Sequence, residues 1–203
     1  MGAEINTITG YLRRRFSEAS LLDFLDLRQY DKKKGADYLA WVSQSVSTSE
    51  NKSFLLKNPA GATLRIAGLG DTIYKDADDE VNAWGKFYLP KIAHMQVIGV
   101  VEGTSCPCDQ LILMTCEDKK LYAYDGEELH LVASSWKQLC DKGIEYPASK
   151  SYFNGEAFQY MTEDDWAGVR KGDVGRRLDH EHQKLVQGNT SAFLKCLKSS
   201  GHT

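Results

Sequence analysis

The sequence predicts an α+β fold, a mostly antiparallel sheet packed by N- and C-terminal helices. Two observations predict it. Between residues 96 and 143, short apolar runs alternate with polar turns, which is the pattern of a meander. Apolar residues at helical spacing precede this block from residue 9 to 46 and return after residue 162. No internal repeat or low-complexity linker divides the chain, so residues 1–203 read as a single domain. Its parts are N-terminal helices (1–50), a sheet core with its packing helix (54–143) and a C-terminal helical extension (144–203).

In order, residues 9–16 place Tyr11, Leu12 and Phe16 on one helical face, with Arg13, Arg14 and Arg15 opposite. Ser17 can cap a second helix, with Glu18 and Asp23 near its positive end. There Leu21, Leu22, Phe24, Leu25 and Leu27 form a stripe broad enough for burial on more than one side. After the turn Asp31-Lys32-Lys33-Lys34-Gly35, a helix over residues 36–46 turns Tyr38, Leu39, Trp41 and Val42 inward. Residues 43–53 are polar and weakly periodic and read as a mobile loop.

From Phe54 the period changes. Residues 54–56 and 64–69 read as short strands around the turn Asn58-Pro59-Ala60-Gly61. Asp71-Thr72-Ile73-Tyr74 reads as another strand. The acidic run Asp76-Ala77-Asp78-Asp79-Glu80 opens a short helix through Trp84, where carboxylates suit the helix N-terminus. Phe87-Tyr88-Leu89-Pro90 is expected to be extended, because a residue before proline avoids the helical region.

The central block starts with the apolar run 97–101 and the turn Thr104-Ser105-Cys106-Pro107-Cys108-Asp109. Residues 111–116 read as a buried strand. Residues 121–124 alternate, with Tyr122 and Tyr124 on one face and Leu121 and Ala123 on the other. Asp125-Gly126 reverses the chain, residues 129–132 resume the sheet, and a helix over 133–140 is capped by Ser134 or Ser135. Residues 145–160 are rich in aromatics with weak order signals. Thr162 before Glu163-Asp164-Asp165-Trp166 is a capped helix start. The last helical stretch, residues 175–198, is interrupted at Gln187-Gly188-Asn189, with Thr190 or Ser191 capping a further helix.

The totals narrow the function classes. A chain of 203 residues buries a core without metal or disulfides. A net charge of -3 lacks the electrostatic footprint of a general nucleic-acid binder. Five cysteines are too few and too irregular for a disulfide scaffold, and the odd count fits reduced thiols in cytosol or nucleus. The N-terminus lacks the apolar core of a signal peptide, and Gly2 is followed by residues that poorly fit a myristoylation site. No apolar run reaches membrane-helix length. These features together predict a soluble cytoplasmic protein.

The central block resembles the SUKH superfamily, the fold shared by bacterial toxin-immunity proteins and the herpesvirus unique-short (US-twenty-two) family. Four pieces carry the resemblance. Residues 97–101 with Gly103 are similar to the family's apolar strand and glycine. Cys106-Pro107-Cys108-Asp109 is similar to its Cys-Pro-x-Asp turn. Residues 121–125, ending in Tyr124 and Asp125, are similar to its strand closing on an aromatic and an acid. Residues 131–139 with Trp136, followed by Gly143, are similar to its closing helix and glycine. The motif residues Cys106, Pro107, Cys108, Asp109, Tyr124 and Trp136 are structural in this reading. The resemblance implies a module that binds and neutralises another protein: immunity to a toxin in bacteria, or interference with host defence in animal viruses. The implied partner is a toxin, a nuclease or a component of innate defence or cell death, and homodimerisation stays open. Herpesvirus members carry repeated copies of the unit, whereas this chain holds one.

Candidate sites arise from the same residues. Trp84 and Trp166 each follow an acidic run (Asp78, Asp79, Glu80 and Glu163, Asp164, Asp165), the composition of an aromatic anchor with an acidic rim for a partner. No catalytic residue, cofactor or metal is assigned. The competing reading is a thiol-dependent hydrolase using Cys106 or Cys108 with His94 or His130 as base. A second competitor is nucleic-acid binding through Arg13, Arg14, Arg15 and Lys32, Lys33, Lys34. Zinc is disfavoured because C-x-C with unpaired followers matches ribbon spacing poorly. His180 and His182 stand two apart on a helix, so they cannot ligate one ion. Gly68-Leu69-Gly70 lacks the third glycine and the lysine of a phosphate loop.

Overall fold

Alternation of apolar side chains sets the architecture. The computed structural model describes residues 32–108 and 110–200, with side chains to residue 190. The helices expected over 9–16 and 17–27, the three arginines and Asp109 lie outside the described residues. Seven strands form one sheet in simple chain order. They are β1 (Ser53–Leu55), β2 (Thr63–Ile66), β3 (Gln96–Glu102), β4 (Leu111–Thr115), β5 (Leu121–Tyr124), β6 (Glu128–Ala133) and β7 (Ser151–Phe153). Every neighbouring pair is antiparallel. The helices are α1 (Gly35–Thr48), α2 (Asp78–Ala83), α3 (Trp136–Lys142), α4 (Glu163–Lys171) and α5 (Asp173–Ser200). This is the expected α+β class.

The sheet is apolar on both faces from β3 to β6, so these strands send residues into two separate cores. Leu111, Leu113, Leu121 and Ala123 join Tyr38, Val42 and Val46 of α1 and Trp136 and Leu139 of α3 on one side. Ile112, Met114, Tyr122 and Tyr124 join Ala83 of α2 with Trp84, Tyr88 and Leu89 on the other. Gly99 explains why β3 serves both. The register with β4 shifts between Val97 and Gly99. A Cβ at Gly99 would stand 2.1 Å from the Arg65 carbonyl oxygen, so only glycine lets β2 approach there. Across this bulge Val97 and Val100 face one core, and Ile98 and Val101 the other.

One buried hydrogen-bond chain ties the first face together. Trp136 Nε1 donates to the Tyr38 hydroxyl at 2.9 Å. Thr115 Oγ1 donates to the Lys120 carbonyl at 2.7 Å, which leaves it to accept from Tyr38 at 2.9 Å. Burial comes first among the causes that push the Tyr38 hydroxyl pKa up. Helix α3 starts at Ser135, whose hydroxyl accepts from the Gln138 amide. It stops at Gly143, at φ +84, where a Cβ would strike Asn58 backbone atoms.

Several local expectations are corrected by one kind of interaction. Helix α1 continues through part of the expected 43–53 loop, to Thr48. Ser45, Ser47 and Thr48 each donate a hydroxyl proton to the carbonyl four residues back, so polarity does not end the helix. Val46 meanwhile enters the core. The break expected at Gly188 is absent: α5 is continuous, and Asn189 and Thr190 donate to the Leu185 and Val186 carbonyls instead of capping a new helix. Residues 71–74 form no strand. A 3₁₀ turn over Leu69–Asp71 leads into bends, with Thr72 Oγ1 donating to the Leu69 carbonyl at 2.8 Å. Of the segment 87–90, a π turn over Trp84–Tyr88 takes the first part, and only Leu89 is extended.

The chain divides into two compact units, Met1–Ala157 and Phe158–Thr203. The first holds the sheet. In the second, Thr162 and Asp165 cap α4 reciprocally, as the sequence suggested, and α4 contains no buried residue.

Candidate functional site

Chemistry-bearing side chains gather at the end of the sheet that carries the β3–β4 and β5–β6 turns. Asp125 closes β5, and its carboxylate accepts from the amides of Glu127 and Glu128 at 3.1 and 2.9 Å, fixing the tight return to β6. The same carboxylate stands 2.8 Å from His130 Nε2 and accepts from the Tyr146 hydroxyl at 3.3 Å. The ionised carboxylate only accepts, so Nε2 carries the proton. Asp125 and His130 are 9% and 7% exposed, so their pairing is shielded from water. Burial pushes the Asp125 carboxyl up, but the Glu128 amide, the His130 imidazole and the Glu127 amide outweigh it and hold it below the ordinary range.

Cys106 and Cys108 stand in the facing turn with their sulfurs 3.4 Å apart. The Cys108 thiol donates to the Asp125 carbonyl at 2.6 Å and approaches the Gln110 carbonyl at 3.3 Å. Burial, then the neighbouring Cys106, pushes the Cys108 thiol up to about 11. The thiolate is the nucleophile, so a thiol with that pKa serves at neutral pH as a hydrogen-bond donor linking the two turns. Burial, with Cys106 and Asp125 beside it, likewise raises the Tyr146 hydroxyl. His130 packs edge-on against Tyr146, with ring centroids 5.2 Å apart, and its Nδ1 is buried without a hydrogen-bond partner among the described residues. The described hydrogen bonds of His130 go to Asp125 and not to either sulfur.

At the opposite end of the sheet, the segment before β3 forms a crest between two open grooves. One, of about 380 Å³, is lined by Leu89, Lys91, Cys116, Asp118, Lys120 and Tyr122, among others. The other, of about 200 Å³, is lined by Val81, Asn82, Gly85, Lys86 and Met95, among others. Ile92 and Ala93 belong to both, and Ile92 is 78% exposed. The acids here are already engaged. Asp118 accepts from the Tyr122 hydroxyl at 2.7 Å and pairs with Lys120 at 3.2 Å, and Glu117 pairs with His94 at 2.6 Å. Among the described residues, no ion pair involves Lys86 or Lys91.

The profile of the US22-like family matches residues 36–151, more than half of the chain and both of these regions. The chain belongs to the US22-like family. It is 37% identical over 123 residues to uncharacterized protein 005R of Frog virus 3 (isolate Goorha), covering 59% of this chain and 58% of that one. It is 28% identical over 100 residues to uncharacterized gene 87 protein of Gallid herpesvirus 2, covering 48% of this chain and 56% of that one. It is 30% identical over 113 residues to uncharacterized protein FPV250 of Fowlpox virus, covering 55% of this chain and 79% of that one. The chain thus spans a little over half the length of the first two relatives. These relatives are viral, which supports reading this US22-like chain as a viral protein. No solved structure matches it.

Of the residues that carry the resemblance, Asp109 lies outside the described residues. Cys106 and Cys108 face the Asp125 turn, and Pro107 between them is exposed. Tyr124 is buried, donates to Glu80 at 2.6 Å and stacks near Trp84. Trp136 is fully buried in the other core.

The two expected aromatic anchors part company. Trp84 is 0% exposed, with ring centroids 5.3 and 5.2 Å from those of Tyr74 and Tyr124, so it belongs to the core and not to a partner-facing surface. Its acidic run stays outside: Asp78 and Asp79 are exposed, and Glu80 is half-buried on Tyr124. Trp166 is 39% exposed and packs on Phe158, with Glu163, Asp164 and Asp165 exposed beside it. Of the two candidate bases, His130 sits on Asp125, whereas His94 sits on Glu117 at the other end. Among the described residues, no group of three or more His, Cys, Asp or Glu side chains is placed to hold a metal ion. Their helices include none long and apolar enough to cross a membrane.

Sequence reasoning missed Asp125 and Tyr146 as the centre of the cluster, and Ile92 with Lys91 as a crest. Asp125-Gly126 is a turn signal that also fits a plain reversal. Nothing local marks Tyr146 or Ile92.

Proposed function

We propose that this chain is a non-enzymatic module that binds another protein and neutralises it, through the surface around Ile92. The observation that carries this reading is the exposed Ile92 crest between two open grooves, with Lys86 and Lys91 beside it free of described ion pairs. Its charge fits a partner segment that places carboxylates around an aliphatic or aromatic side chain, which the grooves would seat. The Cys108 thiol, held as a donor to the Asp125 carbonyl, supports a binding role over thiol-dependent hydrolysis. Membership of the US22-like family, and the wider resemblance to SUKH immunity proteins, favours a toxin, a nuclease or a host-defence component as target. In a viral setting such binding would take place in the host cytoplasm or nucleus.

The test compares wild type with Ile92→Asp and Lys91→Glu in quantitative affinity capture from host-cell extract, with circular dichroism as a fold control. The expected result is a protein retained at one-to-one stoichiometry by wild type and lost by both variants. Equal retention by the variants, or ester hydrolysis that disappears in Cys106→Ser, would overturn the reading.

A further inference from the structure

Cys106 and Cys108 form a pair that partner binding at the Ile92 crest does not use. Their sulfurs are 3.4 Å apart, both are partly exposed, and only Pro107 separates them. The remaining described thiols are committed elsewhere. Cys116 is buried and donates to Asp118 Oδ1 at 3.0 Å, and Cys140 lies on α3. Disulfide bonding distance is about 2.05 Å, so the two sulfurs already lie within about 1.4 Å of it. The Cys108 proton has a structural duty, because it bridges to the Asp125 carbonyl and so holds the two turns together. Gly126, at φ +99, gives the turn beside Cys108 a backbone conformation that other residues rarely adopt.

We propose that Cys106 and Cys108 are a reversible dithiol–disulfide site, oxidised by low-molecular-weight disulfides, and that oxidation releases the β3–β4 turn from the β5–β6 turn. Cys106 Sγ, as thiolate, attacks one sulfur of the small disulfide, forming a mixed disulfide and expelling one thiolate. Cys108 Sγ then attacks the Cys106 sulfur, forming the Cys106–Cys108 bond and expelling the second thiolate. The two protons lost by the protein end on the two small thiols, so a dithiol and a disulfide become a disulfide and two thiols. Cys106 attacks first because Cys108 is tied to backbone carbonyls and keeps its proton. Oxidation removes that proton, and the Asp125 carbonyl loses its donor.

The experiment incubates the full chain with oxidised glutathione, blocks free thiols and maps bonds by tandem mass spectrometry, alongside a thermal melt. The expected product is two mass units lighter before blocking and carries Cys106 linked to Cys108 with Cys116, Cys140 and Cys196 alkylated after it, and its Tm falls by about 3 °C. Cys108→Ser keeps a hydroxyl donor toward Asp125, so it should melt like the reduced wild type and show no shift with oxidant. A Cys106 that stays glutathionylated, a bond to any other cysteine, or an oxidised pair with unchanged Tm would overturn the proposal.

Discussion

Asp125 shows how one side chain can hold a turn, a strand and a distant loop at once. Its carboxylate serves two backbone amides, an imidazole and a phenol, all at low exposure. Replacing it with alanine strands those donors, and hydrogen bonds to a buried charge are worth about 2 kcal/mol each net. We therefore expect Asp125→Ala to lose about 3 kcal/mol in urea denaturation at neutral pH, which would be seen as a lower midpoint at unchanged slope. The pH dependence has a definite sign. The folded carboxyl titrates below its unfolded value of about 3.9, so its contribution is complete above that value and is lost as pH falls through the folded pKa. Wild-type Tm should fall on acidification below about pH 4, and in Asp125→Asn that part of the fall should be missing. A parallel acid limb in the variant would show that Asp125 does not carry it. Tyr38 occupies the same position in the other core, between Trp136 and Thr115. Tyr38→Phe removes the acceptor of the buried Trp136 indole N–H and the donor to Thr115 Oγ1, so we expect a loss of about 2 kcal/mol in the same measurement.

Among the elements, β3 and α3 depend most on single positions. Gly99 lets β3 change register against β4 while lying against β2, so its substitution is a test of the bulge. With a Cβ 2.1 Å from the Arg65 oxygen, Gly99→Ala has to push β2 away. We expect a loss of about 3 kcal/mol and faster amide exchange in β2 than in β5. Exchange that rises equally in both would argue against a local effect. The elements also show what local reading captures. Ser135 as cap of α3 and Thr162 as cap of α4 were legible, because a cap is decided by a few adjacent residues. The lengths of α1 and α5 were misjudged because Ser45, Ser47, Thr48, Asn189 and Thr190 read as helix enders. Each instead returns a hydrogen bond to the previous turn, and whether it does so depends on what the opposite helix face packs against. Val46 settles the matter for α1, since continuing the helix buries it.

For the whole molecule, the decisive property is that the sheet is covered on both sides. Trp84 anchors one core and Trp136 the other, each with no exposure. A large-to-small change in either face should therefore loosen the entire sheet, since every strand from β3 to β5 contributes to both clusters. We expect Trp84→Ala to cost about 4 kcal/mol and to lower the unfolding midpoint as read by both far-ultraviolet dichroism and tyrosine fluorescence. A folded Trp84→Ala protein with normal stability and lost partner binding would instead return Trp84 to the surface role that its acidic run suggests. The same double cover explains why the cysteine–Asp125 cluster and the Ile92 crest lie at the sheet's ends: with both faces filled, turns and crests are where polar and exposed side chains can meet.

The sequence by itself determined the α+β class, the central antiparallel meander and the sorting of Leu121 and Ala123 from Tyr122 and Tyr124. Those properties come from a period of two residues and from turn chemistry, which act between near neighbours. Only the tertiary structure decided that Cys108 meets Asp125, that Tyr146 joins them, that Trp84 turns inward and that Ile92 stands exposed. Those outcomes depend on how the sheet and its two cores dispose segments far apart in the chain, and no spacing along the sequence encodes that distance.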